Sequence, residues 1–189
     1  TGTGTGTSGN GAIGTIGGSL TNNGTLNAGV AGATNTALNV NGGFTNGAAG
    51  ILSLMVAAHN PSSPLINVTG TSTLDGKLYL NYAGLSGTPT IGDFYPLIYS
   101  SLGYQGDFSS FYASSDGNAS GSCTSIAVHS SAWKDVWQCG SLYFAELVNG
   151  NNLGIQVIAE TDIPEPASLA LLGAGLLGFG YARRRRQSV

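Results

Sequence analysis

Asn23-Gly-Thr-Leu-Asn, Ala49-Gly-Ile-Leu-Ser and Asp75-Gly-Lys-Leu-Tyr share one phase along this chain. Glycine falls at 24, 50 and 76 and leucine at 26, 52 and 78, a step of 26 residues each time. Leu38-Asn-Val-Asn-Gly and Ile66-Asn-Val-Thr-Gly interleave with them at an offset of 28 residues. Within each segment apolar and polar residues alternate: Leu38/Val40, Leu52/Leu54/Val56, Ile66/Val68 and Leu78/Leu80. A period of two turns one face of a strand inward. Glycine turns at a near-constant interval then join such strands into stacked coils. The reading is an all-β fold, with short β-solenoid coils over residues 12–82, each stable only against its neighbours. Asn39 and Asn67 fall on the polar side of equivalent strands, where they either form a ladder or face solvent.

Composition shifts near residue 79. Of the sixteen aromatics, thirteen lie between Tyr79 and Phe144, and only Phe44 comes earlier. Strand-like pieces occur at Tyr95–Tyr99, Ser141–Leu147 and Leu153–Ala159, the last two joined by Asn149-Gly150-Asn151-Asn152, a hairpin signal. Residues 83–160 are read as an aromatic-rich β cap that closes the end of the solenoid and blocks edge-to-edge pairing. Residues 1–11, mostly alternating Thr and Gly, are a linker or a broken coil. The coils, together with Thr90-Ile-Gly-Asp-Phe-Tyr-Pro-Leu-Ile-Tyr and Gly106-Asp-Phe, resemble the β-helix of autotransporter passenger domains and filamentous adhesins. The resemblance covers roughly residues 12–108 and implies a right-handed coil.

The C-terminal end has a different character. After Ile163-Pro-Glu-Pro-Ala, sixteen uncharged residues run from Ala167 to Ala182, followed by Arg183, Arg184, Arg185 and Arg186. As a helix that run spans about 24 Å at about 1.5 Å per residue, a marginal single transmembrane span that snorkelling arginines extend. Four arginines directly after it belong on the cytoplasmic side, in a basic tail over 183–189, which puts residues 1–162 outside the inner membrane. Ala170, Ala174, Gly178 and Ala182 recur every four residues. They are either filler or a smooth face for a membrane partner. Pro164 and Pro166 remove backbone donors and hold the 161–166 linker extended and accessible.

Pro164-Glu165-Pro166, the Leu/Gly-rich run and the arginine cluster together resemble the PEP-CTERM sorting signal of Gram-negative bacteria that make exopolysaccharide. The resemblance covers residues 163–186. It implies recognition of the tail by a membrane exosortase, a transient anchor with the N-terminal side out, and then release or transfer to the cell surface. The chain begins Thr-Gly-Thr-Gly without an initiator Met or signal peptide, and so reads as a fragment or a trimmed product. In the exported, oxidising setting that the tail implies, Cys123 and Cys139 are expected to pair, contributing about 3 kcal/mol by loop entropy.

Charge narrows the function. With the arginine cluster set aside, residues 1–162 keep only Lys77 and Lys134 against eight acidic residues. Nucleic acid is therefore not an expected partner, because nothing neutralises phosphates. Enzymes acting on acidic sugars also want arginine or lysine against the substrate carboxylate. His59 and His129 are the only histidines. His129, Ser130 and Asp135 list the residue types of a triad, but a triad is a spatial arrangement that adjacency does not supply. Asp93 and Asp107 are the nearest candidate carboxylate pair for glycoside hydrolysis, yet each sits in a Gly-Asp-Phe turn, where aspartate bonds locally. The scattered acids match neither an EF-hand nor a GGxGxD calcium loop, and no metal or cofactor is expected.

The best ligand hypothesis is sugar stacking on exposed rings among Tyr99, Tyr104, Phe108, Phe111, Tyr112, Trp133 and Trp137, with the competing reading that these rings form the core of the cap. Trp133 and Trp137, inside the Cys123–Cys139 loop, are the candidate exposed pair. The expectation is an exported, non-enzymatic structural or adhesive protein of the cell envelope or exopolysaccharide matrix. The alternative is a carbohydrate-binding or polysaccharide-active protein on the same scaffold. An autotransporter passenger is disfavoured, since one helix with arginines ends the chain where a β-barrel is expected.

Overall fold

The computed structural model describes residues 14–29, 37–115, 123–126 and 133–163. Residues 1–11, His129, Ser130, the Pro164-Glu165-Pro166 triad, the apolar run 167–182 and Arg183–Arg186 lie outside them. Among the described residues no helix is long and apolar enough to cross a membrane.

Twelve strands form four rungs of three. The first rung is β1 (Gly14–Ile16), β2 (Leu20–Asn22) and β3 (Thr25–Ala28), and the second is β4 (Leu38–Val40), β5 (Phe44–Asn46) and β6 (Ile51–Met55). The third is β7 (Ile66–Val68), β8 (Ser72–Leu74) and β9 (Lys77–Asn81), and the fourth is β10 (Phe94–Ser100), β11 (Tyr104–Gly106) and β12 (Ser110–Ser114). Equivalent strands pair in parallel from rung to rung, about three full turns from β1 to β10. This is the β-solenoid expected from the repeat.

The phase of the glycine-leucine segments is the register itself. Leu26 pairs with Leu52, Leu52 with Leu78, and Leu78 with Phe111. A second column runs Leu38, Ile66, Ile98. Alternation decides which side chains go in: Leu38 and Val40 are buried while Asn39 between them is half-buried. Slipping the register by one residue would turn every leucine outward, so the pairing is strongly specified. Asn67 Nδ2 donates to Asn39 Oδ1 at 3.1 Å, settling that pair as a ladder. A second, fully inward ladder joins Asn22 Nδ2 to Asn46 Oδ1 at 2.6 Å. Asn46 Nδ2 in turn donates to the Asp75 carbonyl at 2.6 Å. These amides satisfy one another and the turn carbonyls, which is what allows asparagine inside the coil.

Parallel stacking continues beyond residue 82, where the cap was expected to begin, because β10 to β12 complete a fourth rung. Antiparallel structure follows: β13 (Thr124–Ile126), β14 (Val136–Cys139), β15 (Leu142–Asn149) and β16 (Asn152–Ile158). β16 pairs antiparallel with β10, so one solenoid face extends into an eight-stranded sheet ordered β1-β4-β7-β10-β16-β15-β14-β13. Its register shifts between Pro96 and Ile98, where proline supplies no ladder donor. Asn149 pairs with Asn152, so β15 and β16 are joined by the two-residue loop Gly150-Asn151.

The antiparallel strands are covered on both sides. Trp137, Phe144 and Val157 face the solenoid core. Val136, Ala145 and Ile158 form a second cluster on the back, against Ile126, Trp133, Tyr143, Leu147 and Ile163. A disulfide joins Cys123 to Cys139 with Cα atoms 4.6 Å apart.

Candidate functional site

Three places concentrate polar or recognisable chemistry: a His–Asp corner, a lysine junction and the root of the tail.

The corner joins two loops that follow the third strands of successive rungs. Asp93, only 4% exposed, is the hub. Its Oδ2 lies 2.6 Å from His59 Nδ1 and accepts the Thr90 N–H at 2.8 Å, the Thr90 hydroxyl at 3.0 Å and the Tyr95 hydroxyl at 3.1 Å. Oδ1 accepts from Asn60 Nδ2 at 3.1 Å. Asn60 Oδ1 then accepts the Phe94 N–H at 2.7 Å. Desolvation pushes the Asp93 carboxyl up, but these donors outweigh it and hold it below its ordinary 3.8. The Thr90 bonds are the local turn role expected of Asp93. The His59 partnership, across 34 residues, was not foreseen, and only the stacking of adjacent loops creates it. A buried carboxylate that orients an imidazole is one half of a nucleophile-activating array. Among the described residues no serine, threonine or cysteine is hydrogen-bonded to His59. The contacts of His59 and Asn60 with Asp93 and Phe94 tie the two loops together.

Asp107, the other candidate carboxylate, belongs to a different cluster. It pairs with Lys134, whose Nζ donates to the Gly106 carbonyl at 2.6 Å and lies 3.9 Å from Glu146 Oε1. β11 is the last strand of the sheet ordered β11-β8-β5-β2. Lys134 thus covers an edge carbonyl with charge, a recognised device against edge pairing. Glu146 is fully buried, with neither carboxylate oxygen hydrogen-bonded among the described residues. Desolvation raises its pKa from 4.5 to about 7; Lys134 opposes the rise, and Asp135 and Asp107 add to it. Asp135 is raised as well, by desolvation first and then by Asp107.

Folded Glu146 holds its proton more tightly than the unfolded chain does. Its contribution is complete below about 4.5 and is lost as pH rises toward and through about 7. Glu146→Gln is expected to flatten the fall in melting temperature across that window, leaving the residual slope of Asp135. At pH 8 it should stabilise by on the order of 1–3 kcal/mol, the cost of a buried charge whose oxygens lack hydrogen bonds. Thermal melts of both proteins from pH 4 to 8 check this; parallel curves would refute it.

Of the expected sugar-stacking pair, the packing corrects Trp137 and leaves Trp133 partly exposed. Trp137 is 4% exposed, with its ring stacked on Phe111 at a centroid distance of 5.0 Å. It pairs with Phe144 across β14 and β15, so its face turns toward the solenoid core. Trp133 is half-buried against the cluster on the back of the sheet. Phe108 and Phe111 are core. The Tyr104 hydroxyl is committed too: it lies 2.6 Å from both the Ile98 and Asn151 carbonyls and accepts the Leu153 N–H at 3.0 Å. Tyr99 and Tyr112 remain half-exposed, with Lys77 Nζ 5.7 Å from the Tyr112 ring centre.

At the tail root the last strand gives way to a 3-10 turn at Glu160–Asp162. The Asp162 carboxylate accepts the Ala159 N–H at 3.1 Å, and the Asp162 N–H reaches the Ala159 carbonyl at 3.1 Å. Ile163 N–H donates to the Glu160 carbonyl at 3.2 Å, and its side chain packs on Val136, Ala145 and Ile158. With φ −75° and ψ 118°, Ile163 is extended, as a residue before proline prefers.

Residues 162–186 match the PEP-CTERM protein-sorting motif. No curated protein and no solved structure matches the chain. The motif, with Pro164-Glu165-Pro166 at its start and Arg183–Arg186 at its end, marks an exported, extracytoplasmic protein sorted through recognition by an exosortase.

Proposed function

We propose that the exported body is a non-enzymatic structural or adhesive element of the cell envelope or exopolysaccharide matrix, delivered and processed through its tail. The observation that carries this reading is how its polar groups are used. Asp93 is saturated by its neighbours, the asparagines tie rung to rung, and Lys134 guards a sheet edge. Groups that elsewhere would do chemistry here hold a rod together. The first charged residue in the sequence is Asp75, so the N-terminal coils present a neutral amide and hydroxyl surface suited to a hydrated glycan or protein matrix.

The test is fractionation of producing cells, with and without an exosortase, together with polysaccharide-release assays on the purified body. Retention in the envelope or matrix fraction without turnover is expected. Release of polysaccharide fragments that a single substitution at Asp93, Asp107 or Glu146 abolishes would replace this reading with a polysaccharide-active enzyme. Specific glycan binding without turnover, lost on truncating Tyr99 or Tyr112, would point to the carbohydrate-binding alternative.

A further inference from the structure

The sorting motif does not begin beyond the folded body. Its first two matched residues, Asp162 and Ile163, are part of that body. Asp162 closes the 3-10 turn from both its carboxylate and its N–H, and Ile163 is pinned by one backbone bond and by the cluster on the back of the cap sheet. Tyr143 packs against the same cluster, and its hydroxyl is raised above the ordinary 10.0 by desolvation first and then by the neighbouring charge of Glu160. Pro164 follows immediately.

An enzyme that acts on a polypeptide commonly takes its substrate extended, over several residues on both sides of the recognised point. Here the N-terminal side is coiled into a turn and packed down at the residue next to the triad.

We propose that Glu160–Ile163 is a strap whose release from the cap gates access of the exosortase to Pro164-Glu165-Pro166. This inference rests on the sorting reading above. The strap is built to open locally. It has one turn, two backbone hydrogen bonds closing it, a half-buried side chain and no strand pairing, and such segments lie at the low-stability end of a fold. When opening is fast relative to processing, the rate follows the population of the open form. Processing itself breaks one backbone amide, with the acyl group passing to water or to an acceptor amine or hydroxyl and the nitrogen leaving as the amine of the tail. The strap takes no part in that chemistry; it only sets how often the substrate is presented.

Three full-length chains are compared in cells that carry an exosortase, following the processed form by intact mass in a pulse-chase. The wild type is set against a chain with Gly-Ser-Gly-Ser inserted after Ile163, and against Ile158→Ala, which weakens the receiving cluster outside the matched residues. The spacer chain is expected to be processed about tenfold faster, which corresponds to a strap open roughly a tenth of the time. Ile158→Ala should accelerate processing a few-fold. Hydrogen exchange on the purified chains supplies the readout that general destabilisation does not move: the Asp162 and Ile163 amides lose protection in Ile158→Ala, while those of β6 and β9 keep theirs. A spacer chain processed no faster than wild type overturns the proposal, as does coil-like exchange at Asp162 and Ile163 in the wild type. If no chain is processed, wild type included, the sorting reading itself fails and takes the strap with it.

Discussion

Phe111→Ala is expected to lower the unfolding free energy by about 3–5 kcal/mol, the range for deleting a buried phenyl ring. Phe111 is fully buried and ends the column that begins at Leu26 and runs through Leu52 and Leu78. It is also where the parallel coils meet the antiparallel strands, stacked on Trp137 at 5.0 Å and tilted against Phe144 at 5.4 Å. Its carbonyl accepts the Cys123 N–H at 3.0 Å, next to the disulfide, so the cap has little freedom to slide into the void. In a stack stabilised by neighbour contacts, loosening one interface uncouples what lies on either side. The variant should therefore show a broadened or two-step denaturation curve. Phe111→Leu, which keeps much of the volume, should recover more than half of the loss. A Phe111→Ala loss below about 1 kcal/mol would mean that the junction collapses freely and that Phe111 is not its keystone.

The first three rungs were legible because their chemistry is local. Each leucine recurs at a fixed step, and each alternation assigns a face with no need for distant partners. The fourth rung was less legible. The step from Leu78 to Phe111 is longer than the earlier 26, and phenylalanine replaces leucine in the column. β10 also carries Pro96 and pairs antiparallel on its other side, so its pattern reads as cap rather than coil. The inward ladder of Asn22 and Asn46 escaped for a different reason. Asparagine beside a glycine turn has the same composition whether it faces water or a neighbouring coil, and only the stack decides.

The site residues divide the same way. The sorting tail is a contiguous stretch whose meaning survives without a fold, so it could be read directly. The His59–Asp93 contact and the burial of Glu146 depend on which loops and strands lie side by side, which spacing does not reveal. Trp137 shows the limit of composition: an aromatic in a polar loop region looks available until pairing with Phe144 turns it inward. The disulfide could be inferred because the export signal fixed the redox setting, a constraint from outside the folded body.

Gly76→Ala is expected to destabilise by about 2–5 kcal/mol, while Gly24→Ala, at the same phase of the repeat, should change stability by no more than about 0.5 kcal/mol. Gly76 has φ +66°, which costs a residue with a Cβ about 1–2 kcal/mol. A Cβ there would also run into the carbonyl oxygens of Gly50 and Gly47 in the rung before it. Those carbonyls cannot retreat cheaply, since Gly50 O accepts the Lys77 N–H at 2.8 Å and Gly47 O accepts the Gly50 N–H at 2.7 Å. On the other side the Gly76 carbonyl accepts both the N–H and the hydroxyl of Ser109 at 2.7 Å, fixing the turn between two rungs. Overpacking of this kind adds about 1–3 kcal/mol. At Gly24 a Cβ would meet nothing within 4 Å, and φ is not positive. Equilibrium denaturation of the two variants separates the causes by size. If turn geometry alone set the requirement, Gly76→Ala would cost no more than about 1–2 kcal/mol, the penalty of its positive φ. A larger loss at Gly76, with Gly24→Ala near neutral, assigns the excess to the carbonyls pressed against it from the rung before, and to that extent the repeat records stacking as well as turning.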